Sequence, residues 1–288
     1  MPPILSRLLP VVTSAYALQT LFAAVFVPQA NDKYYDLCGA LGFLSTTAVS
    51  LYYPSFRAKF YDKVPGAVLP NITQFAPRQL LVSAALCAWT VRLGSFLAMR
   101  AVKSGGDSRF DEIKTQPGKF FGFWLGQATW VFAVGLPVYL VNTIPAAVHP
   151  RLGPLDYISV ALFASSWLFE IVADHQKTVW RRAKDRKEHD EQFISSGLWS
   201  ISRHPNYVGE VGLWTGIWAI SASSLTTPYS PRFTWLVAGV SPLLTWLLLR
   251  KISGVPPLES AGDKKYVGPK WEEYKKTVPI FWPWGSYN

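Results

Sequence analysis

Nine consecutive residues, Ser202 to Glu210 (SRHPNYVGE), gather Arg203, His204, Asn206, Tyr207 and Glu210 at the foot of a strongly apolar segment. Polar groups crowded against a membrane span are costly, which makes them candidates for binding or catalysis. Arginine grips phosphates through paired, charge-assisted hydrogen bonds. Asparagine and aspartate suit an amide or a ribose hydroxyl, and a phenol can stack on a flat ring or act as an acid. Asp174 and Arg181 stand seven residues apart, on one face if a helix runs through both, with Glu170 one turn earlier. Tyr266 and Tyr274 bring further rings from the tail segment GDKKYVGPKWEEYKKTVPIFWP. This set suits a cytosolic nucleotide held at the membrane edge, with a lipid substrate arriving from the side.

The elements that must position these groups are apolar runs. Half of the 288 residues are hydrophobic and 16% are charged, well below the roughly 25% of a soluble domain. Runs at Leu8–Val27, Leu37–Tyr53, Leu80–Met99, Phe120–Val141, Leu155–Ala173, Val211–Ser224 and Phe233–Leu249 predict an all-α, polytopic membrane helix bundle of about seven spans. The expected organisation is one membrane domain over 1–288, with substrate-side helices in 1–150 and a cofactor-binding region in 151–288. Most of the 28 Lys and Arg fall on one side of such a bundle: Lys33, the loops 100–119 and 177–203, and the tail. That bias puts the motif and the C-terminus in the cytosol. The net charge of +10 then reads as cytosolic loops beside anionic lipid, and not as nucleic-acid binding. The tail's aromatic residues predict that it folds back on that face.

Arg92 falls in the middle of the third run. At that depth it requires a partner, either a structural ion pair or a substrate contact from the membrane interior. The segment GGDSRFDEIK (Gly105–Lys114) breaks the helix and alternates charges, as a solvated loop would. No glycine-rich dinucleotide fingerprint follows a strand, and no phosphate-binding P-loop or HExxH sequence is present. The two cysteines, Cys38 and Cys87, sit in apolar runs without metal-ligand spacing, so no metal site is expected.

The blocks SGLWxxSRHPNYxGE, GGDSRFDEIK, SGVPPLESAGDKKY and the KWEEYKK-and-Pro tail, over about residues 80–285, resemble the steroid 5α-reductase-like membrane proteins, in particular their uncharacterised fungal and bacterial branch. Isoprenylcysteine carboxyl methyltransferases and phospholipid methyltransferases carry a similar RHPxYxG. The resemblance implies a membrane reductase that uses NADPH on an activated carbon–carbon double bond of a lipid, sterol or isoprenoid-like substrate. Carried over, Asn206, Glu210, Asp174 and Arg181 contact the cofactor and a tail aromatic near Tyr266 faces it; Arg203, His204 and Tyr274 join them as cofactor-binding candidates from the polar set itself. The family's Asn before the helix Asp is Glu170 here, and its early-helix Glu is missing, since the first glutamate is Glu112. Tyr207 is then the leading candidate for the proton donor, with Glu210 as clamp and Arg92 polarising a carbonyl. The competing readings are an S-adenosylmethionine-dependent methyltransferase and a non-enzymatic lipid-binding protein. NADPH carries three phosphate groups and S-adenosylmethionine none, so Arg181, Arg182, Arg203 and Lys264 favour the reductase. The expected location is the endoplasmic reticulum in a eukaryote or the inner membrane in a bacterium.

Overall fold

The computed structural model describes residues 3–107 and 110–287. Ser108 and Arg109, inside the GGDSRFDEIK segment, lie outside the described residues. Among the described residues the chain is helical, with no strand. The helices are α1 (Pro3–Phe26), α2 (Tyr35–Phe56), α3 (Pro77–Ser104), α4 (Pro117–Asn142), α5 (Pro154–Asp185), α6 (Pro205–Leu225), α7 (Thr234–Ala238), α8 (Val240–Leu247), α9 (Val255–Lys265) and α10 (Pro269–Thr277). Proline opens α3, α4, α5, α6 and α10, where its missing N–H costs nothing and its fixed φ suits the first turn.

Among the described residues, five segments are long and apolar enough to cross a membrane: Ser6–Phe26, Pro77–Lys103, Pro117–Asn142, Pro154–Asp185 and Thr234–Lys265. The architecture is thus all-helical and of the polytopic membrane type. Two of the runs read as spans, those in α2 and α6, are not among the five. Ser45, Thr46, Thr47 and Ser50 dilute α2, and Ser221, Ser223 and Ser224 dilute α6. The last run also departs from a single continuous helix. α7 stops at Gly239, and α8 gives way to a π-helical turn at Leu248–Ile252. Pro242 has no N–H with which to bond back to Ala238, and it sits in the first turn of α8, where that N–H is not needed. α5, in contrast, continues without interruption from its apolar part through Asp174 and Arg181 to Asp185.

Close packing divides the chain into two units, Met1–Asp156 with Ile217–Ser241, and Tyr157–Gly216 with Pro242–Asn288. In the first, α1 to α4 bury Phe43, Trp89, Trp124 and Tyr139. Several polar side chains inside it satisfy one another, which lowers the cost of burying them. Gln127 donates to Gln19 (3.0 Å), which donates to the Cys38 carbonyl (2.9 Å). Asn142 donates to Ser50 (2.9 Å) and Ser83 (3.0 Å). The GGDSRFDEIK segment is tied down here. Asp32, 4% exposed, accepts from Lys114 Nζ (3.1 Å) and from the Asp107 backbone N–H. Gly106, at φ +143°, leaves Asp32 its room, because a Cβ there would come within 2.9 Å of the carboxylate.

One end of this unit holds a buried charged cluster. Arg78 makes a two-pronged pair with Asp156, Nε to Oδ1 at 3.2 Å and Nη2 to Oδ2 at 2.6 Å. Its Nη1 reaches the Pro150 carbonyl (2.8 Å) and Ser224 Oγ (3.1 Å). Ser224 in turn meets His149 Nδ1 at 2.8 Å, and His149 Nε2 faces the Ile144 carbonyl at 3.2 Å. A carbonyl only accepts, so the proton of the neutral ring sits on Nε2 and Ser224 donates to Nδ1. Burial holds the His149 pKa below its ordinary value.

Candidate functional site

The second unit positions the SRHPNY turn by clamping it between α5 and the tail. α6 approaches α5 along a stripe of glycines. A Cβ at Gly209 would lie 2.8 Å from the Glu170 backbone N and the Ser166 carbonyl, and one at Gly216 would lie 2.7 Å from the Phe163 backbone N. Only small residues allow helices this close. The preceding SGLW turn is fastened to the same helix. Gln176 accepts from the Leu198 N–H (2.9 Å), and Trp199 Nε1 donates to the Ala173 carbonyl (3.0 Å). Lys177 Nζ stands 4.2 Å from the centroid of the Trp199 ring, a cation–π contact. Gly197, at φ +61°, has no room for a Cβ, which would meet Gln176 at 2.5 Å.

From the other side the tail closes over the motif. Ser202 Oγ takes the His204 N–H (3.2 Å) and donates to the Phe281 carbonyl (2.5 Å). The Arg203 N–H donates to the Pro279 carbonyl (2.9 Å), and its Nη2 to the Tyr287 carbonyl (2.7 Å). Glu259 on α9 then takes both side chains, one on each oxygen. Arg203 Nη1 is 3.2 Å from Oε2, and His204 Nε2 is 2.8 Å from Oε1. The Arg203 and His204 side chains are 3% and 7% exposed, and Glu259 is 16% exposed. Burial lowers the His204 pKa, a shift that Glu259 opposes and that Lys177 and Arg203 reinforce. The His204 ring lies parallel to Tyr207, 5.6 Å between centroids and 5° between planes.

The tail rings form a cluster of their own. Trp271, Tyr274 and Val278 are buried with Phe193 and Tyr266 against them. The Tyr274 hydroxyl donates to the Trp199 carbonyl at 2.6 Å. Burial raises its pKa, so it remains a protonated donor. Trp271 Nε1 donates to Asp263 (2.8 Å), which ties α10 to α9.

The residues singled out from the sequence are therefore distributed as follows. Arg203, His204, Asn206, Tyr207 and Glu210 occupy the turn before α6 and its first turns, the last three half-buried. Asp174 is buried on α5, and Arg181, two turns further on, is exposed. Tyr274 braces the SGLW turn and Tyr266 packs on Phe193. Arg92 belongs to the first unit, on α3, where its guanidinium lies 5.5 Å from the Phe96 ring centroid. Glu259, Gln176 and Ser202 were not singled out. A glutamate in the amphipathic stretch VPPLESAGDKK carries no local signal of a partner 55 residues away.

The first unit contains a separate cavity of about 40 Å³ between α2, α3 and α4. Phe43, Trp89 and Trp130 wall it, and Asp36, Thr90 and Gln127 supply its polar atoms. Thr90 Oγ1 is buried there without a hydrogen-bond partner. The volume exceeds the ~10–15 Å³ that one water needs and is far smaller than a lipid. Arg92 is not among its lining residues.

The profile of the family described as "Protein of unknown function (DUF1295)" matches residues 64–278. The chain belongs to this DUF1295 family. No solved structure matches it. The DUF1295 match spans the Arg78–Asp156 cluster, the SRHPNY turn, Glu259 and Tyr274, and it ends just before Pro279–Tyr287, the stretch whose carbonyls receive Arg203.

Proposed function

We propose that this DUF1295 protein is a membrane-embedded reductase that uses NADPH to saturate an activated carbon–carbon double bond in a lipid, sterol or isoprenoid-like substrate. In this reading the chain crosses the membrane about seven times, with its C-terminus in the cytosol, in the endoplasmic reticulum or a bacterial inner membrane. The observation that carries it is the half-buried polar set Asn206, Tyr207 and Glu210 at the start of a 21-residue helix, held rigidly against α5 by glycine contacts. A helix N-terminus favours anionic groups.

The donor set fits the cofactor in part. Asn206 suits its amide, and the exposed Arg181 and Arg182 suit phosphates. Arg203 is committed to Glu259 and the Tyr287 carbonyl, so phosphate binding rests on Arg181, Arg182 and Lys264. That commitment also keeps a second reading in view, a methyltransferase using the phosphate-free S-adenosylmethionine. When bound, NADPH supplies a hydride. The chain's own residues bind and orient it, and Tyr207 is the candidate to deliver the proton to the substrate.

Detergent-solubilised protein tests the cofactor assignment by thermal shift. NADPH is expected to raise the Tm and S-adenosylmethionine is not, and the reverse result overturns the reductase reading. Lipid extracts of cells with and without the protein should then differ by a product two hydrogens heavier. Tyr207→Phe is expected to reduce kcat at least a hundredfold, the lower end of the ~10²–10⁴-fold range of acid–base catalysis, while leaving the NADPH Kd unchanged. Unchanged turnover would remove Tyr207 from that role.

A further inference from the structure

We infer that Glu259 is a positioning residue of the SRHPNY turn: it fixes His204 as the Nε2–H tautomer and holds Arg203 in place, so the turn presents one defined arrangement to its ligand. A carboxylate has only acceptors to offer. The 2.8 Å contact from His204 Nε2 to Glu259 Oε1 therefore puts the ring proton on Nε2 and leaves the lone pair of the neutral ring on Nδ1. The other carboxylate oxygen takes Arg203. One side chain thus orders two adjacent residues that carry opposite demands, a cation that needs an anion and a neutral ring that needs an acceptor.

The surroundings explain why a carboxylate is needed at this place. The charges of Lys177 on α5, Arg203 in its own turn and Glu259 on α9 act on His204, and the Tyr207 ring of α6 lies parallel to it. Two of these are cations, and the site is buried. Without Glu259 the buried Arg203 would lose the carboxylate in contact with it and keep only the field of Asp263 against its desolvation, an unfavourable state. The ring would have no acceptor on Nε2 and could turn over. Asn206 and Tyr207 follow immediately in the chain, and Tyr207 stacks on the ring whose orientation is at stake. A shift of His204 is thereby passed to the residues assigned to ligand and proton.

That Glu259 supports a ligand site rests on the functional reading above; that it sets the His204 tautomer does not. The test keeps the two apart. Protein labelled with ¹⁵N-histidine in detergent micelles is compared with the His204→Asn variant, which identifies the His204 signals among the four histidines. The wild type is expected to show His204 neutral at pH 7 with Nε2 protonated. In Glu259→Gln the acceptor persists without its charge, so the tautomer should be retained while the titration midpoint moves to lower pH. Glu259→Ala should lose the single tautomer. In parallel, thermal shift is expected to show NADPH binding weakened about tenfold in Glu259→Ala, equivalent to ~1.4 kcal/mol, with partial recovery in Glu259→Gln. A Nδ1–H tautomer in the wild type, or an unchanged midpoint in Glu259→Gln, overturns the inference. Absence of NADPH binding in the wild type alongside the expected spectra overturns the function and leaves the tautomer assignment standing.

Discussion

Two clusters in this protein use the same three ingredients, an arginine, a carboxylate and a histidine, and arrange them to different ends. In the first unit Arg78 and Asp156 face each other through two contacts, at 1% and 4% exposure. The Gly153 N–H adds a further donor to Asp156 (2.8 Å), and Ser224 links the pair to His149. The arginine's remaining nitrogen is covered by the Pro150 carbonyl and Ser224. In the second unit one carboxylate serves two partners and sits nearer the surface, and the His204 ring it holds lies parallel to the half-buried Tyr207. Arg203 Nε and Nη1 are buried there without a hydrogen-bond partner, Nη1 facing Glu259 as an ion pair. The closed cluster joins the starts of α3 and α5 to the end of α6, as a fastener would. The partly open one has atoms left to give, and that difference separates a structural ion pair from a candidate binding site.

The sharpest way to break the comparison is to remove one carboxylate. Asp156→Ala strands a fully buried arginine and is expected to cost about 3–5 kcal/mol, measured as unfolding in mixed micelles; a cost below 1 kcal/mol would show that the cluster is not a fastener. Acid titration has a smaller effect. Burial lowers the pKa of both His149 and His204, so each contributes stability that is complete above the unfolded value of about 6.5 and is lost as pH falls through the folded one. Each histidine can account for at most about 1.4 kcal/mol per pH unit. Stability should therefore fall as the pH drops from 7.5 towards 5, and the double variant His149→Asn/His204→Asn should flatten that slope. A slope that persists would assign the acid loss to other groups. The smallest effect belongs to an exposed pair. Lys275 contacts Asp263 and Glu272, whose side chains are 52% and 58% exposed, and Lys275→Ala should change stability by no more than ~1 kcal/mol.

Much of this organisation is legible in the sequence, and the reasons differ by element. The membrane helices announce themselves because a run of some 20 apolar residues has few other uses. The SRHPNY turn stands out because five polar side chains crowd its edge. Arg78, by contrast, lies among loop residues and reads as one more exterior cation, since its partner Asp156 is 78 residues away. Glu259 is hidden for the same reason, and Gln176 because its role is to receive one backbone N–H from a distant turn. The break at Gly239 is masked by continuous hydrophobicity. Tyr274 was visible as a ring, but its partner, a backbone carbonyl at Trp199, has no sequence signature.

The central claim is that the turn before α6 and its first turns hold a cytosolic nucleotide. Thermal shift of the solubilised protein with NADPH, compared between wild type and Asn206→Ala, tests it most directly. The account predicts that NADPH stabilises the wild type and that Asn206→Ala, folded and with a similar Tm of its own, loses at least tenfold in affinity, which corresponds to about 1.4 kcal/mol. Equal stabilisation of both proteins, or stabilisation of the wild type by S-adenosylmethionine and not by NADPH, would contradict it.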